Sequence, residues 1–206
     1  MRNIAMKIVL LFIFLSAICS AHAYVYYVEA EDHDLESELN VAGCIWTLVE
    51  DENVSNEKYM KYQGPHVGAN TSLFYTLPDI DDNPAQCKVW SQCLMPDGGA
   101  NSYFVYVSTD GGAQWGPQQT VSSAEGPDWK WVDFTPTTPF EKGEGNVLRF
   151  SEREDANLDL ICVRNDGAPP SEEEYVVWLE EWEAKKLAVE PSHKIATTWG
   201  NIRSAY

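Results

Sequence analysis

Positive charge is scarce in this chain. Fourteen lysines and arginines stand against 32 aspartates and glutamates, a formal net charge of −18. A surface of that sign repels phosphate backbones and anionic lipid, which excludes nucleic-acid binding and suits a soluble exported protein or a cation binder. Catalytic motifs are missing too: there is no G-x-S-x-G elbow and no H-E-x-x-H helix. Beyond the first two dozen residues the histidines are only His33, His66 and His193, and none is near another in sequence. No C-x-x-C pair occurs, so neither a zinc site nor a thioredoxin-like site is expected. After residue 23 no apolar run is long enough to span a membrane as a helix.

Residues 1–23 have the anatomy of a secretory signal. Arg2 and Lys7 flank the start of an apolar stretch from Ile8 to Ile18, and Ala21-His22-Ala23 is a small-x-small cleavage site. A mature chain from Tyr24 holds 183 of the 206 residues, and losing Arg2 and Lys7 takes the net charge from −18 to −20. That length suffices for one domain with a core plus an appendage, secreted or held at the cell surface. Cys44, Cys87, Cys93 and Cys162 then remain, with three connectivities open. Cys87 and Cys93 lie six positions apart on one predicted strand, about 20 Å, which forbids a direct bond. Disulfides between strands and buried free thiols both remain open.

From Tyr24 to about Val163 short alternating runs are punctuated by turn residues. Ser72–Leu77, Cys87–Met95, Ser102–Ser108, Trp129–Phe134, Asn146–Ser151 and Leu158–Val163 read as strands. Pro96-Asp97-Gly98-Gly99 and Asp110-Gly111-Gly112 read as turns. Strands with no helical period between them predict an all-β, antiparallel sandwich. Asp166 to Pro170 is a breaker, so the domain is expected over 24–167 and a linker, helix and tail over 168–206. Ser171 before Glu172, Glu173 and Glu174 predicts a capped helix start. Tyr175, Trp178, Leu179, Trp182 and Leu187 keep helical spacing to about Val189, a stripe expected to pack on the sandwich or on a neighbouring protein.

The densest chemistry lies in Tyr27-Val28-Glu29-Ala30-Glu31-Asp32. As a strand, it would point Glu29 and Glu31 to one face about 7 Å apart. Such acids are either solvated on an edge strand or drawn around a hard cation with oxygen ligands, calcium above others. A second acidic stretch, Glu152-Arg153-Glu154-Asp155, reads as a solvated hairpin rather than a glycosidase pair.

Together with Ser151 to Ile161, the Glu57-Lys58-Tyr59-Met60 run, Trp129-Lys130-Trp131 and a last strand opening Leu158-Asp159, this motif resembles carbohydrate-binding modules of the family 6, family 35 and malectin-like (galactose-binding-like) type. The resemblance covers about 24–165 and implies a jelly-roll sandwich with a structural calcium and no catalytic activity. It implies Glu29, Glu31 and Asp159 as metal ligands, with a backbone carbonyl near Lys58. It also implies a carbohydrate partner, bound by rings that stack on a pyranose and by polar groups that fix its hydroxyls. Trp129 resembles the stacking tryptophan and Asn157 a sugar-contacting asparagine, although the Glu154–Asp159 hairpin lacks the family's usual glycine. Loop residue Trp115 and, behind it, Tyr62 are further candidates from the residues themselves, whereas Trp90 and Trp131 are expected in the core. The rival reading is a surface interaction or assembly protein without sugar binding, with a protein partner on the C-terminal helix; a small hydrolase ranks last.

Overall fold

The computed structural model describes residues 23–36, 45–63, 71–96, 102–122, 126–151 and 153–185. The signal through His22, Cys44, Glu152 and everything from 186 onward lie outside the described residues.

Eleven strands run in chain order among the described residues: β1 Val25–Glu29, β2 Leu35–Glu36, β3 Ile45–Glu50, β4 Lys58–Gln63, β5 Ser72–Thr76, β6 Lys88–Leu94, β7 Ser102–Ser108, β8 Gln119–Ser122, β9 Lys130–Phe134, β10 Val147–Ser151 and β11 Asn157–Arg164. They form two antiparallel sheets. Sheet A is ordered β3-β4-β11-β6-β9, with β1 also on β11, and sheet B is β2-β5-β10-β7-β8. From β5 onward the chain passes repeatedly between the layers, the antiparallel sandwich that the alternating runs predict. Tyr75, Tyr103, Leu148 and Phe150 of sheet B meet Met60, Tyr62, Val89 and Ile161 of sheet A in the buried core.

Where β1, β11, β6 and β9 run together, sheet A is covered on both faces. Residues alternate along β6, so Val89 and Cys93 enter the sandwich core while Trp90 packs on the far side. There a second cluster gathers Tyr27, Leu160 and Cys162 with half-buried Trp90 and Trp131 beneath a helix, α1, over 172–185. Trp90 and Trp131 therefore belong to this outer layer and not to the sandwich core, because strand parity alone does not say which face a second element covers. The Ser171 hydroxyl caps α1 by accepting from the Glu174 amide at 3.2 Å. Tyr175, Trp178 and Leu179 all turn toward the sheet, as the helical stripe predicts. The Trp178 indole donates to the Val25 carbonyl at 3.2 Å, and the Tyr27 hydroxyl to Glu174 Oε2 at 3.0 Å. Buried Arg164 ties Asp166 and Glu174 together through ion pairs of 2.6 Å each.

The expected strands hold within a residue or two at their ends. Cys87 and Cys162 are buried free thiols, and Cys93 is buried in the core. Burial pushes the Cys162 thiol up to about 12 and that of Cys87 up to about 11.

Candidate functional site

One edge of β11 is shared end to end by two strands. β4 pairs with Asn157 and Leu158, and β1 pairs with Leu160 to Arg164. Asp159 falls at the changeover. On the opposite edge the β6 register slips at the same place, from Leu158 opposite Cys93 to Leu160 opposite Gln92. This bulge turns Leu158 into the core and Leu160 to the outer layer, although the two share parity.

The N-terminal acids arrive at the same seam. β1 ends at Glu29, and Ala30–Asp32 form a 3-10 turn. Glu31 therefore lies on a turn, which corrects the expectation of two glutamates alternating on one strand. The Tyr75 hydroxyl pins this turn by donating to the Ala30 carbonyl at 2.8 Å. Across from it, Ser55–Glu57 make a short turn in which Asn56 and Glu57 take positive φ of 48° and 58°. Two consecutive residues of that turn touch all three acids. The Ser55 amide donates to Asp159 Oδ2 at 3.2 Å and its hydroxyl to Glu29 Oε1 at 2.7 Å, while Asn56 Nδ2 donates to Glu31 Oε1 at 2.9 Å. Tyr175 of α1 adds a hydroxyl hydrogen bond to Glu29 Oε1.

One oxygen of each acid is satisfied in this way and the other is not. Glu29 Oε2, Glu31 Oε2 and Asp159 Oδ1 are buried with no hydrogen-bond partner. Such orphaned carboxylate oxygens are costly, and three on one seam are unusual. Burial, then the charges of Glu29, Glu31 and Glu172, pushes the Asp159 carboxyl up to about 8. Burial pushes Glu29 up to about 7 against the pull of its hydroxyl donors, and Glu31 is raised for the same first reason. The donor set is all oxygen, multiply charged and short of positive partners, which fits a hard divalent cation. The side chains are not closed around a point, however: among the described residues no group of three or more His, Cys, Asp or Glu is gathered tightly enough to hold a metal ion as it stands.

The aromatic candidates separate. Trp129, just before β9, is half-buried and stands edge-on to Tyr59 at 5.2 Å. Leu94 pairs with Asn157, and in continued register Trp129 would lie across from Leu94 on the other side. Trp129 and Asn157 thus share one end of sheet A, where Asn157 is 6% exposed. Tyr62 reaches the same end but is 1% exposed and packs edge-on against Trp46 in the core. A buried ring cannot stack on a sugar, so Tyr62 is corrected to a core residue. Trp115 lies on the other layer, half-buried against Phe74 of β5 with the Arg149 guanidinium 5.9 Å from its ring. Its loop is held close, because a side chain at Gly116 would overlap Thr138. The fold therefore does not unite Trp115 with Trp129.

Sequence reasoning did not single out Ser55, Asn56, Tyr59 or Tyr175. Ser55-Asn56 carried a weak turn signal, and Tyr175 read only as part of an apolar stripe. Between α1, sheet A and the 52–56 turn lies a cavity of 420 Å³, lined by Ser55, Gln92, Leu160, Tyr175 and Leu179 among others.

No family model matches the chain. No curated protein matches it either. Solved structures do. The C-terminal family 6 carbohydrate-binding module of a laminarinase from Zobellia galactanivorans is similar at 10% identity and a TM-score of 0.47, over 68% of this chain and 98% of that one. A family 6 module from Clostridium stercorarium, solved with cellobiose, is similar at 16% identity and a TM-score of 0.44, over 66% and 90%. An exo-β-1,3-galactanase from Phanerochaete chrysosporium, solved with galactose, is similar at 19% identity and a TM-score of 0.44, over 68% of this chain but 29% of the enzyme. The likeness lies in the backbone. Family 6 is also among the types that the sequence resembles.

Proposed function

We propose that this chain is an exported, non-catalytic carbohydrate-binding module, with a calcium ion fastening its first strand to its last. The observation that carries the binding reading is the half-buried Trp129, set edge-on to Tyr59 at the end of sheet A that Asn157 shares. A half-buried indole and a short amide at one end of the same sheet are the two kinds of group, a stacking ring and a polar contact, that a pyranose requires. The test is retention on a glycan array. Trp129→Ala is expected to abolish retention with an unchanged melting temperature, and Trp115→Ala to leave it intact; retention that survives Trp129→Ala would sink the assignment.

The calcium reading is supported by the three orphaned oxygens of Glu29, Glu31 and Asp159. These residues would hold the ion, and its two charges would offset a seam that otherwise repels itself. Calcium is expected to raise the melting temperature of the protein and a chelator to lower it again.

A second reading, an interaction or assembly protein on the same sandwich, is favoured by one observation. Val176 and Val177 of α1 are large apolar side chains left 53% and 56% exposed. In that case Val176→Asp with Val177→Asp would change the elution volume in sizing chromatography and leave glycan retention untouched.

A further inference from the structure

The carboxylate seam takes one of its hydroxyl donors from a helix, Tyr175 of α1 on Glu29. We propose that Tyr175 of α1 is a positioning residue for the cation site, so that cation affinity and docking of α1 form one coupled equilibrium. This rests on the calcium reading above and extends it to a second element.

The hydrogen bonds carry the inference. Glu29 Oε1 accepts from two hydroxyls, Ser55 Oγ and Tyr175, while Oε2 has no partner. Two donors on one oxygen fix the rotation of the carboxylate and reserve the other oxygen for the seam. Ser55 does the same for Asp159 by holding Oδ2 and leaving Oδ1 bare. Tyr175 is itself 7% exposed, its ring 5.4 Å from that of Tyr27, so its hydroxyl has little freedom to leave.

The helix is anchored independently of that hydroxyl. Glu174 binds Arg164 and Tyr27, and Trp178 binds the Val25 carbonyl. Docking therefore delivers the Tyr175 hydroxyl to Glu29, and removing the hydroxyl alone should leave α1 in place. Undocking would instead open the outer flank of Glu29 to water and release its rotation. By linkage, whatever factor docking adds to cation affinity, the cation returns to docking.

The experiment is a calcium titration of the full chain against a chromophoric chelator, paired with hydrogen exchange of the α1 amides. Tyr175→Phe keeps the ring and the fold, checked by circular dichroism, and is expected to weaken calcium binding about tenfold. Trp178→Ala, which loosens α1 without touching any carboxylate, is expected to weaken it as well. Calcium is expected to slow exchange across 174–182 in the native protein, and to slow it less in Tyr175→Phe. If the native protein binds calcium but both variants bind it equally well and exchange in α1 is indifferent to the ion, the coupling is overturned and the calcium site stands. If the native protein binds no calcium, the site and the coupling fall together.

Discussion

Asp159 is the only acid in β11, and the fold gives it half of what a buried carboxylate needs. One oxygen takes the Ser55 amide, and the other is buried without a partner in a carboxyl that the charges of Glu29 and Glu31 also push upward. Asp159→Asn would turn that bare acceptor into a donor for its neighbours. Without calcium the substitution is expected to stabilise the protein by about 1 kcal/mol, some 2–4 °C in melting temperature. With calcium it is expected to abolish the upward shift, which thermal melts in both buffers would check. Arg164 makes a different prediction. Its guanidinium, in direct hydrogen bonds, holds the Asp166 carboxyl below the usual carboxylate range. A carboxyl lowered in the folded state contributes stability above its ordinary value near 4 and loses it as pH falls through the lowered one. Acidification from pH 4 toward 2 is therefore expected to lower the protection of the α1 amides relative to their intrinsic exchange, less steeply in Asp166→Asn than in the native chain. Identical acid profiles would contradict the pairing.

At the scale of elements, α1 is the part whose role changes most between sequence and structure. Trp178 packs on Tyr26 and Tyr27, at 5.7 and 5.4 Å between ring centroids, and is half-buried. Trp178→Ala is expected to cost about 2 kcal/mol, below the 3–5 of a fully buried aromatic, as measured by urea unfolding. The stripe that packs α1 was legible because helical spacing is local, and so were the strands, from Ser102–Ser108 at both ends to Lys88–Leu94 within a residue or two. What a strand's far face meets is not local. Trp90 and Trp131 read as core because parity separates two faces without telling which is solvated. The bulge at Asp159 is set by strands more than 60 residues away in sequence, and no pattern around Leu158 announces it. The acids of the seam were legible as types, since carboxylates that dense need a reason. Their hydrogen-bonding partners were not, because Ser55 and Tyr175 come from unrelated segments.

For the whole molecule, sheet A has no solvent face where α1 lies, and the sandwich without 171–206 would expose Tyr27, Leu160, Trp90 and Trp131 together. That truncation is expected to bind a hydrophobic dye and to self-associate above micromolar concentration, seen by light scattering; a dye-negative monomer would show that the outer layer is dispensable. The position of β11 has a further consequence, one of timing. Among the described residues it is the last strand to be synthesised, yet β1, β4 and β6 all pair with it. Tyr24 and Asn165 close the same ring of contacts, the amide of the first donating to the side chain of the second at 2.9 Å across 141 positions. Sheet A thus cannot be completed until nearly the whole chain is available, and such long-range pairing is slow. A chain translocated from its N-terminus would emerge unfolded and stay so until its C-terminal third had followed. The acids of the seam would meet only then, so a cation available on the far side would bind at the end of folding, not during it.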